Sequence, residues 1–416
     1  LLVIMNAINR YNIILFSQIY IVAIYCLNLI FSNILFSSFL FLLYLFLIFY
    51  LILSNFFSEL TLTKTIIIIF LIIGMLSPTT AWDARSVWMF HGKRMFFENN
   101  ILAQLDDYGK LNNDYPIFVS YYAAQIANLL GKWNEILPKL SPFLISIPVL
   151  IFLSSLAKNK KQELLICFLY LFILDKKMIM GECDAILSIY LTLIFVLVFK
   201  NSRKLYLSKI NYPFGPDLYK ELFFVSSLLI FSNLKTISPL IIGILIIVYM
   251  TINYKNLNLR LAMFFVLSMI PFIYFKIILS NSEIEKHLLE TFLSLNDVKL
   301  ILTDFKSHIR IINEIIFNRE MFITIILLTI YLSKQFYLKK RNSVFLSKNF
   351  LTSFFIFVFF LILIYLITAV FIGHPFYEEF LWSIPRYITP ACFLLSFEII
   401  NQLFNNTSTK IIEKKL

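Results

Sequence analysis

The run "FLTSFFIFVFFLILIYLITAVFI", residues 350–372, contains no charged side chain. At 1.5 Å per residue a helix of this length crosses the ~30 Å hydrocarbon core of a bilayer. Similar runs recur along the chain, as in "SSFLFLLYLFLIFYLIL" at 37–53. Of the 416 residues 60% are hydrophobic and 14% charged, against about 45–50% and roughly 25% in soluble domains. The reading is therefore an all-α, polytopic transmembrane helical bundle forming a single integral membrane domain over 1–416. Spans are expected near 12–30, 33–53, 64–78, 141–157, 163–175, 185–200, 220–233, 236–252, 261–280, 320–333, 350–372 and 387–404, about 12 crossings by the ~20-residue criterion. No cleavable signal is visible, and the first run is expected to stay as a span. The cysteines Cys26, Cys167, Cys183 and Cys392 lie in or beside apolar runs without paired spacing, which marks core residues and not a disulfide framework or metal site.

Charge sets the sidedness. The formal net charge of +12 does not point to nucleic acid, because positive charge in membrane proteins concentrates in cytoplasmic loops. With 116–131 left out as a crossing, one set of loops collects "KNKK" (158–161), "KNSRK" (200–204), "LKKR" (338–341) and the tail "KIIEKK" (410–415). That places both termini in the cytoplasm and "PIFVSYYAAQIANLLG" (116–131) as a surface or re-entrant helix on the outer side. Two long outer loops follow, 79–140 with its juxtamembrane helices and 281–319. All four tryptophans, Trp82, Trp88, Trp133 and Trp382, fall on this side, where amphipathic rings anchor at headgroup level.

The first outer loop opens with "TTAWDARSVWMFHGKRMFFENN" (79–100), dense in ionisable groups. As a helix over 82–98 it would place Asp83, His91, Arg94 and Glu98 in roughly an 80° sector, the pattern of a loosely amphipathic helix lying in the interface. Asp114 in "NNDYP" precedes the apolar 116–131 segment and reads equally as a helix N-cap. Asp184 in "GECDAILSIY", with Glu182 beside it, enters the bilayer from outside, where ionisable groups are costly and default to functional candidates. Lys235 occupies a short outer turn, Arg386 starts the last span, and His374, Glu378 and Glu379 lie just before it. Acids, cations and an apolar bundle beneath them suit a lipid-linked phosphate, since Arg offers a planar fork for phosphate oxygens. No Gly-rich phosphate loop, metal-ligand spacing or nucleophile elbow occurs.

These elements resemble, in order, the GT-C superfamily of integral membrane glycosyltransferases, and within it the protein O-mannosyltransferase and aminoarabinose-transferase branch. "AWDAR" puts Asp83 early in the first outer loop, "NDYPIF" takes the place of a motif leading into a surface helix, "CDAIL" supplies Asp184, and "SIPRY" supplies Ser383 and Arg386. Lys235 in "LKTISP" matches a family lysine, without its acidic neighbour, and no second acid follows Asp83. The resemblance implies transfer of a sugar from a polyprenyl-phosphate donor to a lipid, glycan or protein acceptor, at the outer face of a prokaryotic cytoplasmic membrane. Asp83, Asp114 and Asp184 would be the catalytic carboxylates, Asp83 the base. Arg386, Lys235 and Arg85 would hold the donor phosphate, with His91, Glu182 and His374 supporting the acceptor side. A divalent cation on Asp83, Asp114 or Asp184 fits carboxylate chemistry but is not required. Two other readings stay open. An O-antigen polymerase or ligase would use the late loop with His287, His308 and Arg310. A lipid-glycan transporter would carry charge mid-span, where this chain has little beyond Lys276 and Glu398 near span ends.

Overall fold

The computed structural model describes residues 10–31, 35–54, 60–78, 80–81, 84–103, 115–174, 177, 179–199, 216–252, 259–280, 303–339, 347–372 and 377–405. Among them the fold is helical, without a β-strand element, and every apolar run of the sequence forms helix. Four segments are long and apolar enough to cross a membrane: Ile13–Phe31, Pro138–Ser155, Asn349–Val370 and Leu381–Phe404. Phe305–Ile316 with Arg319–Tyr337, bent by 62°, makes a fifth if taken as one span. Other apolar helices are shorter, such as Ser38–Leu53, Thr61–Leu76 and Cys183–Phe199. Where one domain was expected, the chain forms two compact units, Leu1–Leu156 with Lys176–His287, and Ala157–Asp175 with Leu288–Leu416.

The first unit contains α1 (Arg10–Phe31), α2 (Ser38–Leu53), α3 (Thr61–Leu76), α4 (Met89–Glu98), α5 (Phe118–Leu130) and α6 (Ser141–Ser155). The same unit includes, after α7 (Lys160–Leu169) of the second unit, α8 (Cys183–Phe199), α9 (Pro216–Ser232), α10 (Ser238–Ile252), α11 (Leu259–Ser268) and α12 (Ile270–Ser280). α6 and α8 are apolar on nearly every face and almost wholly buried, as helices without a polar stripe must be. Of the two placements expected for 116–131, surface or re-entrant, α5 excludes the first. It is not a surface helix: residues from Phe118 to Ala127 are buried within the unit. Ala123, Ala124 and Ala127 permit close approach, and Gly92 of α4 is the contact that sets it. A Cβ on Gly92 would stand 2.8 Å from the Ser120 carbonyl oxygen and 3.1 Å from the Ala123 Cβ. Two polar side chains of α5, Gln125 and Tyr121, meet partners on neighbouring segments. Gln125 donates to Ser37 Oγ at 2.6 Å and accepts from Ser38 at 3.2 Å. Asn28 donates to the Tyr121 hydroxyl at 3.0 Å.

The second unit gathers α7 (Lys160–Leu169, continued by a π turn over Tyr170–Leu174), α13 (Phe305–Ile316), α14 (Arg319–Lys339), α15 (Lys348–Val370) and α16 (Tyr377–Asn405). α16 is its centre, buried almost continuously from Ile388 to Gln402 and packed by the other four. Pro385 and Pro390 lie inside it, and Thr389 Oγ1 donates to the Pro385 carbonyl at 2.8 Å. Glu398 accepts from Gln402 at 2.6 Å in the same buried stretch.

Candidate functional site

In the first unit the segment before α4 meets the segment that leads into α8. α3 ends at Leu76, and Lys139, on a short turn ahead of α6, donates from Nζ to the Ser77 carbonyl. Ala81 N–H donates to the Met180 carbonyl at 2.9 Å. Ala81, Ala84 and Met89 form one apolar cluster, with Met180 and Trp133 against it. Gly181 makes this contact with a left-handed backbone, φ +86°, and a Cβ there would lie 2.9 Å from the Ala84 Cβ and 3.2 Å from the Lys139 carbonyl. Any other residue would pay twice, in backbone strain and in overlap. The segment that flanks Asp83 in sequence therefore packs on the segment that leads into Asp184.

Asp184 lies in the first turn of α8, where the helix dipole favours an anion. Its Oδ1 is 2.5 Å from Lys235 Nζ, and the two side chains are 1% and 6% exposed. Lys235 comes from the tight α9–α10 turn, whose shape is fixed by Ser238 N–H donating to the Lys235 carbonyl at 3.0 Å and Lys235 N–H to Ser238 Oγ at 3.2 Å. Beside it Asn233 accepts from Tyr25, at 3.4 Å, and donates to Leu229 O, at 2.9 Å. Ser232 donates to the Ser268 carbonyl at 2.7 Å. A buried carboxylate–ammonium pair within this polar surround can hold a fixed cation at a helix end, or exchange that cation to an incoming anion.

Glu182 is half-buried, with its N–H donating to the Lys177 carbonyl at 3.2 Å. Lys139 and Lys177, both buried, join this end of the unit and were not singled out from the sequence. Lys139 had a signal, as a lone cation in the apolar "ILPKLSP" of 136–142. Arg85 is exposed on a π turn over Ala84–Trp88. His91, expected on a solvated face with Arg94 and Glu98, is instead buried with Gly92 and Met95, because this face of α4 meets α5. Arg94 and Glu98 pair with each other at 3.1 Å. Trp88, expected as a headgroup anchor, is buried and edge-on to Tyr115 at 5.3 Å. Asp83, Asp114 and His374 lie outside the described residues. Among the described residues no three His, Cys, Asp or Glu side chains converge, and Asp184 faces an ammonium, a poor setting for a divalent cation.

In the second unit Arg386 is half-buried on α16, one turn after Ser383. Near the start of the same helix Glu378 takes both ends of the Arg310 guanidinium, at 2.7 and 2.9 Å. Those bonds hold the Glu378 carboxyl below its ordinary range and raise Arg310 further. His308 Nδ1 shares a hydrogen bond with the Tyr365 hydroxyl at 3.0 Å. Comparison with known protein families, with characterised proteins and with solved structures finds no match to this chain.

Proposed function

We propose that the chain is an integral membrane glycosyltransferase of the GT-C kind. It moves a sugar from a polyprenyl-phosphate donor to a lipid, glycan or protein acceptor, at the outer face of a prokaryotic inner membrane. The bundle crosses about 12 times with both termini in the cytoplasm, its shorter helices counted by the positive-inside pattern of the loops. The observation that carries this reading is the buried Asp184–Lys235 pair, at the end of the unit where the residues flanking Asp83 pack on Met180 and Gly181.

In the reaction the acceptor oxygen bonds to the anomeric carbon as the bond from that carbon to the phosphate oxygen breaks. The hydroxyl proton passes to the Asp83 carboxylate, and polyprenyl phosphate leaves as the anion. Positioned proton transfer of this kind contributes about 10²–10⁴-fold. The leaving phosphate needs fixed positive charge, as in other oxyanion stabilisation. Lys235, held in place by Asp184, supplies it, together with Arg85 of the same unit. Asp114 and Asp184 position the reactants, and Glu182 borders the acceptor side. The test is transfer by the reconstituted protein from a polyprenyl-phosphate sugar. Asp83→Asn should fall by about 10²-fold or more with melting temperature and membrane insertion unchanged. Near-normal turnover in that variant removes Asp83 from the chemistry.

A further inference from the structure

The sequence of α13, "FKSHIRIINEII", has two apolar stripes of different fate. Ile311 and Ile315 are buried in the second unit. Phe305, Ile309, Ile312 and Ile316, spaced at i, i+4, i+7 and i+11 along one line of the helix, are all exposed, and Phe317 follows at 82% exposure. Lys306, Arg310, Asn313 and Glu314 take the opposite side and are also exposed. An apolar half shared between protein and an open face, with a charged half behind it, is the pattern of a helix lying in a membrane interface.

Three further observations identify the bilayer as what covers the open stripe. α14 starts after two residues and turns 62° from α13, so if α14 crosses the membrane, α13 lies much closer to its plane. The helices that α13 packs against also expose apolar residues, Phe322, Ile326, Ile330 and Phe336 on α14 and Phe355, Ile362 and Leu366 on α15. Finally, α13 is tied to the first turn of α16. Arg310 grips Glu378, and the Tyr377 hydroxyl donates to the Ser307 carbonyl at 3.0 Å. That turn is followed by Trp382, 77% exposed, a residue type that favours the headgroup level.

We infer that α13 is an interfacial helix that inserts Phe305, Ile309, Ile312, Ile316 and Phe317 at the headgroup–acyl boundary and pins the start of α16 there. The inference rests on the reading that α14, α15 and α16 cross a bilayer. Single Ile309→Cys, Ile312→Cys, Ile316→Cys, Lys306→Cys, Asn313→Cys and Glu314→Cys variants of the full chain, spin-labelled in phosphatidylcholine/phosphatidylglycerol nanodiscs, test it. The four native cysteines are buried or half-buried, and labelling is corrected against the parent chain. Ile330→Cys on α14 reports the span. Labels at 309, 312 and 316 should collide with lipid-dissolved oxygen more than labels at 306, 313 and 314 but less than 330, and be several-fold less accessible than 306, 313 and 314 to a water-soluble nickel chelate. If 309, 312 and 316 meet the chelate while 330 meets oxygen, α13 lies in water and the inference fails with the span intact. Protection from both probes would mean that protein covers the stripe, which also overturns it. Chelate access at 330 as well would overturn the membrane reading itself.

Discussion

Asp184 is held in a buried ion pair whose two members lie 51 positions apart in sequence. Desolvating both charges is offset only while both are present. Removing one leaves the other buried and unpaired, at a cost of about 3–5 kcal/mol. Asp184→Ala and Lys235→Ala should each destabilise by about that much, and the double variant by clearly less than their sum. Denaturation in detergent measures all three, and additive losses would show that the contact carries no coupling. Both residues were legible in the sequence as ionisable groups at span ends. Their pairing was not, because no local spacing links the start of one helix to a turn between two others. His91 shows the opposite failure. Its angular position beside Arg94 and Glu98 was read as solvated, yet the burial of α4 is centred on Trp88, His91, Gly92 and Met95. A π turn over Ala84–Trp88, with i→i+5 bonding, also breaks the phase assumed for the stretch 82–98.

Among elements, α5 is where pattern and outcome differ most. Its apolar, helical character was plain from 116–131, and its end at Gly131, φ +66°, follows from a left-handed residue closing a helix. What the pattern could not supply is depth: a helix rich in alanine sinks where a facing glycine lets it. Gly92→Ala would put a methyl 2.8 Å from a backbone oxygen of α5, an overlap that no side-chain rotation relieves. Overpacking of this kind costs about 1–3 kcal/mol. Gly92→Ala should lower the melting temperature, while Gly243→Ala, with nothing within 4 Å of its Cβ position, should not. Equal behaviour of the two would mean that α4 and α5 do not meet at Gly92.

At the scale of the whole molecule, composition made helix legible, and among the described residues each predicted apolar run does form helix, four of the segments being long and apolar enough to cross a membrane. The count of crossings was less legible. Several apolar helices run only 15–17 residues, shorter than the ~20 that a span needs by itself, so composition and length alone mark four. Loop charge then sets the proposed topology. A membrane-impermeant thiol reagent should label Lys110→Cys but not Lys160→Cys in intact cells, and the reverse would invert it. The division into two units left no mark in composition, because apolar helices of both units look alike as sequence. Mass spectrometry of envelope glycans and lipid-linked sugars in a strain lacking this protein reads the proposed sugar transfer itself. One sugar should disappear from a glycan, lipid or protein while its polyprenyl-phosphate donor accumulates. Unchanged glycans with no donor accumulating, or a build-up of unpolymerised or untransported lipid-linked oligosaccharide, would contradict it.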